Sequence, residues 1–134
     1  MTGNKIKHLE FLQNVITRMN SNSFLIKGWT ITIISALLAL SSKDTNMNYY
    51  YISFIVIPTF WILDGFYLSQ ERQYRVLYNL VCSKTDVEID FNMDASGFNK
   101  GDKTWFRSTL SNTLLFFYGI SSGIILTIIF FIHK

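Results

Sequence analysis

Three long apolar runs dominate the hydrophobic pattern of the chain. They extend from about Phe24 to Leu40, from about Tyr49 to Leu68, and from about Leu110 to Ile132. A helix needs ~20 mostly apolar residues to cross a bilayer, and each run is close to that length. The pattern therefore predicts an all-α membrane protein with three transmembrane helices. The short polar segment 41–48 joins the first two as a hairpin.

A helical pattern precedes the first run. Apolar side chains recur at three- and four-residue steps, which predicts an amphipathic helix: they are Ile6, Leu9, Leu12, Val15, Ile16 and Met19. Two placements fit this helix. It lies on the inner membrane surface, or it packs against the cytoplasmic part of this protein or a neighbouring subunit. Residues 20–23 are Asn and Ser, which favour helix caps, so we expect a new helix to begin there.

The polar link between the second and third runs has a different period. Helical periodicity continues beyond Leu68, but Val87, Ile89, Phe91 and Met93 then alternate with acidic and amide residues. Period two predicts a short β-strand. Because one strand is not stable alone, we expect a partner, for which a neighbouring subunit is a candidate.

Four units follow from these patterns. They are 1–22, an amphipathic cytoplasmic helix; 23–68, the transmembrane hairpin; 69–107, a cytoplasmic helix extension and link; and 108–134, the third span.

The composition and the placement of basic residues support a membrane protein and predict its orientation. Charged residues make up 16% of the chain, whereas soluble domains have about 25%. Nine Lys and Arg residues lie before the first run or between the second and third, against only Lys43 and Lys134 on the opposite side. Basic residues stay on the cytoplasmic side. We therefore expect the N-terminus and 69–107 in the cytoplasm, and the C-terminus outside.

Several kinds of chemistry are excluded by the residues present. The net charge of +3 is too small and scattered to predict nucleic-acid binding. His8 and His133, the only histidines, lie on opposite membrane faces in this topology and cannot share a metal within one chain. We find no P-loop, no GxGxxG and no Ser-His-Asp arrangement, and Cys82 is a single cysteine. The sequence thus predicts no enzyme, no cofactor and no metal site.

Two charged residues fall inside the apolar runs at matching positions. Lys27 precedes the centre of the 41–48 loop by as many residues as Asp64 follows it. At 1.5 Å per residue both lie ~28 Å from that turn, near the inner edge of a ~30 Å hydrocarbon core. Intramembrane charges tend to have partners, so we predict a Lys27–Asp64 ion pair. The alternative is that Lys27 extends alone into the headgroups.

Other positions are candidates for packing, bending or partner binding. Glu71, Arg72 and Arg75 form a predicted charged layer just inside the membrane. Pro58, the only proline, is expected to kink the second helix. Gly119 with Gly123, and Ser35 with Ala39, have the four-residue spacing of small residues that lets membrane helices approach closely.

Parts of the chain resemble a known family. The segments "HLEFLQNVITRMNSNSFLIKGWT", "WILDGFYLSQER" and "FYG" resemble the RipA family of octameric bacterial membrane proteins. That family is similar to a membrane accessory encoded beside an RNA-targeting CRISPR effector. The resemblance implies a homo-octameric ring in the bacterial inner membrane and a role in phage defence. The accessory has been discussed as nuclease-like, but the matching arginine–histidine pair is absent from this chain.

Two functions are consistent with these features. The first is an oligomeric pore or membrane-perturbing effector, gated by a cytosolic signal or partner. The second is a non-conducting membrane scaffold that presents 69–107 to a cytosolic protein. An ion-coupled transporter is less favoured, because it needs ionisable groups near mid-membrane and the sequence has none there.

Overall fold

A computed structural model describes residues 3–43 and 46–132. Within these residues four α-helices follow one another: α1 (Gly3–Lys43), α2 (Asn48–Cys82), α3 (Trp105–Thr109) and α4 (Asn112–Ile132). Three short 3₁₀ turns, Asp86–Glu88, Ser96–Phe98 and Gly101–Lys103, connect α2 to α3. Helices α1, α2 and α4 are long and apolar enough to cross a membrane, as predicted. His133, Lys134 and the centre of the 41–48 loop lie outside the described residues.

The N-terminal amphipathic segment is not a separate helix. It is continuous with the first span in the 41-residue helix α1, so the predicted break at 20–23 is wrong. No proline or glycine occurs at the junction, and Ser23 turns its hydroxyl to a partner on α2 instead of capping a helix. At 1.5 Å per residue α1 is about 60 Å long, twice the hydrocarbon core. One end of α1 therefore extends beyond the membrane.

This extension packs against the protein's own polar region, which was one of the two predicted placements. Leu12 of α1, Leu77 and Val81 of α2, and Ala95 of the link form a buried apolar cluster. We call residues 3–22 and 69–104 the head. A second cluster, including Ile34, Tyr50, Ile57, Leu114, Tyr118 and Ile125, lies between the three long helices. We call the parts of α1, α2 and α4 that surround this second cluster the membrane bundle. Helix α2 contributes to both clusters, so it connects the head to the membrane bundle.

The predicted β-strand at 87–94 is not formed in the described chain. Polar side chains take up the backbone N–H groups that a strand would offer to a partner. Asp90 Oδ1 accepts the N–H of Asn92, Asn92 Oδ1 that of Asp94, and Asp94 Oδ1 that of Ser96, at 2.9–3.1 Å. Such local bonds compete with sheet formation. The alternating pattern is thus a series of side-chain-capped turns, and Phe91 within it has a positive φ of 54°.

Helix α3 lies against α2 near residues 61–65. The indole nitrogen of Trp105 donates to the carbonyl of Ile62 at 2.8 Å, and that of Trp61 donates to the carbonyl of Thr109 at 2.7 Å. Gly65 makes this contact possible, because a Cβ built there would lie 2.1 Å from Thr109 Oγ1. The two helices therefore touch backbone to backbone.

Candidate functional site

The main polar site in the membrane bundle is centred on Asp64, whose side chain is fully buried. Lys27 Nζ lies 2.6 Å from Asp64 Oδ2, so the structure brings together the two residues of the predicted pair. The Ser23 hydroxyl donates to Asp64 Oδ1, and the Tyr118 hydroxyl donates to Oδ2 at 2.9 Å. We call these four residues the Asp64 cluster. It connects α1, α2 and α4 through one carboxylate.

Local geometry explains why these side chains meet. Ser23 and Lys27 are four residues apart and share one face of α1, and Lys27 Nζ also donates to Ser23 Oγ at 2.9 Å. On the other side, Trp61 stacks on Tyr118 with ring centroids 5.8 Å apart and planes 7° from parallel. The phenol is thereby held over Asp64.

The arrangement is suited to holding helices together. Each carboxylate oxygen of Asp64 has at least one donor, and the ammonium of Lys27 balances its charge. A buried charge with a partner and full hydrogen bonding is stable where an unpaired one is not. The Lys27 side chain remains partly exposed, at 20%, and its Nζ lies 5.9 Å from the Phe117 ring centroid. The cluster offers neither a free base nor an empty ligand position.

Sequence reasoning missed Ser23 and Tyr118. Ser23 could have been found, because it lies one turn before Lys27 on the same face of α1. Tyr118 could not have been found, because its hydrogen bond to Asp64 depends on where α4 lies along α2. The hydrophobic periodicity of the sequence does not determine that position.

The predicted charged layer is divided between two contacts. Arg75 donates to Glu71 Oε1, with the closer nitrogen at 2.7 Å. Arg72 instead donates to the carbonyl of Asp102 at 2.6 Å and so ties the link to α2. These residues stabilise the head, and Glu71 is largely buried.

Among the described residues, Gly119 and Gly123 make no close contact with another helix of the same chain. Nothing lies within 4 Å of a Cβ built at Gly119 or Gly123, and both residues are exposed on α4. Ser35 lines a groove between α1 and α4, and Ala39 is exposed. The glycine that does carry close packing is Gly65, whose Cβ position is blocked by Thr109. Pro58 is exposed within α2, which is helical on both sides of it.

A buried histidine fixes the link to α1. His8 is fully buried, and its Nε2 lies 2.9 Å from the carbonyl oxygen of Asn92. A carbonyl only accepts, so Nε2 carries the proton. The ring packs 5.5 Å from that of Phe91, the residue with positive φ. In the described chain no group of three His, Cys, Asp or Glu residues is arranged to hold a metal.

We expect His8→Ala to lower the free energy of unfolding by about 2–3 kcal/mol, because it leaves a cavity at a fully buried position and removes the donor to the Asn92 carbonyl. Thermal melting in detergent measures the effect. The control is Asn14→Ala, an exposed position on the same helix, which should melt as the wild type does. Equal melting temperatures for the two variants would contradict the role assigned to His8.

No protein-family model matches the chain, and no curated protein or solved structure matches it either. The function is therefore argued from the fold and the sites described above.

Proposed function

We propose that this chain is the subunit of a homo-oligomeric bacterial inner-membrane assembly that perturbs the membrane, as a pore or a related effector, in phage defence. In this proposal the head is cytoplasmic and receives a signal or partner there, and the C-terminus is on the outer side. The resemblance to the RipA family supports an octamer and is part of the proposal.

The observation that carries the proposal is the continuity of α1 and α2. Leu12 and Ile34 both belong to α1, but the first lies in the head cluster and the second in the bundle cluster. Leu77 and Ile57 divide in the same way on α2. A rigid helix that is packed at both ends transmits a displacement from one end to the other. A partner that shifts the head would thus also shift the spans.

The exposed face of α4 supports self-association. Gly119 and Gly123 are open, and Thr127, four residues further, is also exposed. Small residues at this spacing allow close helix contact in membranes. Within an assembly, this face is the one we assign to contact with the next subunit.

The second candidate, a non-conducting scaffold, is favoured by a different observation. The ionisable groups within the spans, Lys27 and Asp64, are paired with each other inside one subunit. The outward faces of the spans carry mainly large apolar residues such as Phe24, Ile55 and Phe116. A wet pore would need polar faces along its axis.

Ion and dye release from phosphatidylethanolamine–phosphatidylglycerol liposomes tests the proposal. We expect the wild type to form a high-order oligomer and to release the contents. Gly119→Leu should lose both properties while its subunit still folds, since it adds bulk to an open face. The matched control is Gly28→Leu, an exposed and equally open glycine on α1, and it should behave as the wild type does.

Each negative result rejects a different part of the proposal. An oligomer that releases neither ions nor dye, with or without cytosolic extract, would reject the effector and leave the scaffold. A Gly119→Leu oligomer of unchanged size would reject the assigned interface.

A further inference from the structure

A cavity at the boundary between the head and the membrane bundle has no role in the functions proposed above. It has a volume of about 280 Å³ and opens between α2, the link and the start of α3. Its walls include Phe66, Gln73, Tyr74, Asp94, Asn99 and Trp105. Aromatic rings, amides and one carboxylate thus surround a space large enough for a small polar group.

The aromatic walls suit a cation. Phe66 and Trp105 meet edge to face, with ring centroids 5.6 Å apart and planes at 70°, so they form two sides of a corner. Tyr74, two turns further along α2, adds a third ring to the lining. Ring faces attract ammonium groups within about 6 Å of their centroids.

The lining of the cavity carries a negative charge, which is complementary to a cation. Asp94 is the only charged residue in it, and in the described chain no basic side chain makes an ion pair with Asp94. Its Oδ1 accepts the N–H of Ser96, and these contacts with Ser96 lower the pKa of the Asp94 carboxyl. Asp94 is therefore ionised at neutral pH. By contrast, Glu71, Asp90 and Asp102 each have a Lys or Arg within 4 Å.

The amide of Gln73 adds an acceptor. Its nitrogen donates to Ser69 Oγ at 3.0 Å and to the carbonyl of Lys103 at 3.1 Å. These bonds fix the side chain, and its amide oxygen accepts no hydrogen bond from the described residues. An ammonium ligand supplies donors for such an oxygen.

The depth of the cavity indicates where the ligand comes from. Trp105 donates to the carbonyl of Ile62, which places that ring beside the last turns of the second span. Phe66 follows Asp64 by two residues, about 3 Å along the helix. The cavity thus begins at the edge of the bundle, where the headgroup layer adds about 5–8 Å beyond the hydrocarbon on each side, and it extends beyond that layer toward Tyr74.

We propose that this cavity binds an organic ammonium group, supplied by a phospholipid headgroup such as ethanolamine or by a soluble amine of the same chemistry. The ammonium lies against the aromatic lining of the cavity, and Asp94 supplies the neutralising charge. Nothing in this assignment depends on whether the assembly conducts ions.

Calorimetric titration of the purified full chain in detergent tests the site. The probes are dihexanoyl-phosphatidylethanolamine, dihexanoyl-phosphatidylglycerol and free ethanolamine. We expect saturable binding of the ethanolamine lipid and none of the glycerol lipid at the same concentration. Asp94→Asn should weaken binding about tenfold, since it removes the charge and keeps an oxygen for the N–H of Ser96. Asp90→Asn removes a carboxylate outside the lining and should bind as the wild type does.

The titrations distinguish a lipid headgroup from a soluble amine as the source of the ammonium group. Binding of the lipid alone assigns the site to headgroups, and equal binding of free ethanolamine assigns it to soluble amines; both support an ammonium site if Asp94→Asn weakens them. Equal binding of the two lipids, or equal affinities for Asp94→Asn and Asp90→Asn when both variants melt as the wild type does, would overturn the proposal.

Discussion

Replacing Asp64 with alanine is expected to lower the free energy of unfolding by about 3–5 kcal/mol, the cost of leaving one partner of a buried ion pair alone. The substitution removes the shared acceptor of Ser23, Lys27 and Tyr118. Among the described residues, the Lys27 ammonium then has Ser23 Oγ as its one remaining hydrogen-bond partner. Equilibrium unfolding in mixed micelles measures the loss.

Variants at Lys27 distinguish the ion pair from the rest of the Asp64 cluster. Lys27→Met combined with Asp64→Asn should be milder than Asp64→Ala, because no unpaired charge remains. Exchange of the two charges, Lys27→Asp with Asp64→Lys, should restore only part of the stability lost by Lys27→Asp. A lysine at 64 cannot accept from Ser23 and Tyr118, as Asp64 does.

The matched control is Lys7→Ala, which breaks an exposed ion pair with Glu10. Exposed pairs contribute about 0–1 kcal/mol, so this variant should unfold nearly as the wild type does. If Asp64→Ala cost no more than Lys7→Ala, the Asp64 cluster would not hold the bundle together.

Gly65→Ala is expected to lower the free energy of unfolding by about 1–3 kcal/mol through overpacking. The added methyl would meet Thr109 Oγ1 at 2.1 Å and its Cα at 2.9 Å. A backbone atom cannot move aside as a flexible side chain does, so α3 has to shift. The shift would strain the bonds from Trp61 to Thr109 and from Trp105 to Ile62. Thermal melting and the tryptophan emission maximum both report it.

A second substitution and a control sharpen this test. In a Thr109→Gly background the hydroxyl and Cβ are absent, so Gly65→Ala should cost less there than in the wild type. Gly28→Ala should be neutral or slightly stabilising, because nothing lies within 4 Å of its Cβ and alanine favours helix. Equal costs for Gly65→Ala in the two backgrounds would argue against the clash.

The three spans and the closeness of Lys27 to Asp64 followed from one-dimensional information. Length and apolar content define a span, and equal distance from a short turn gives equal depth in a hairpin. The role of Tyr118 did not follow, because α4 is separated from α2 by a link whose path no period describes. Gly65 was missed for a related reason: only the position of Thr109 in space distinguishes it from Gly119.

The errors also have physical causes. The alternation at 87–94 would suit a strand, but Asp90, Asn92 and Asp94 bind the following backbone N–H groups locally. Side chains that favour caps were likewise expected to break α1 near Ser23. The Ser23 hydroxyl instead donates to Asp64, because a buried carboxylate requires hydrogen-bond donors.

The sharing of Asp64 between two sets of donors has a consequence for biogenesis. Ser23 and Lys27 precede Asp64 in the chain, whereas Tyr118 follows it by more than fifty residues. When the second span is synthesised, the Lys27 amine and the Ser23 hydroxyl on the first span are already present. We therefore expect the hairpin to enter the bilayer with the charges of Lys27 and Asp64 balanced. Tyr118 arrives only with the last span. Its hydroxyl then becomes the third donor to the Asp64 carboxylate.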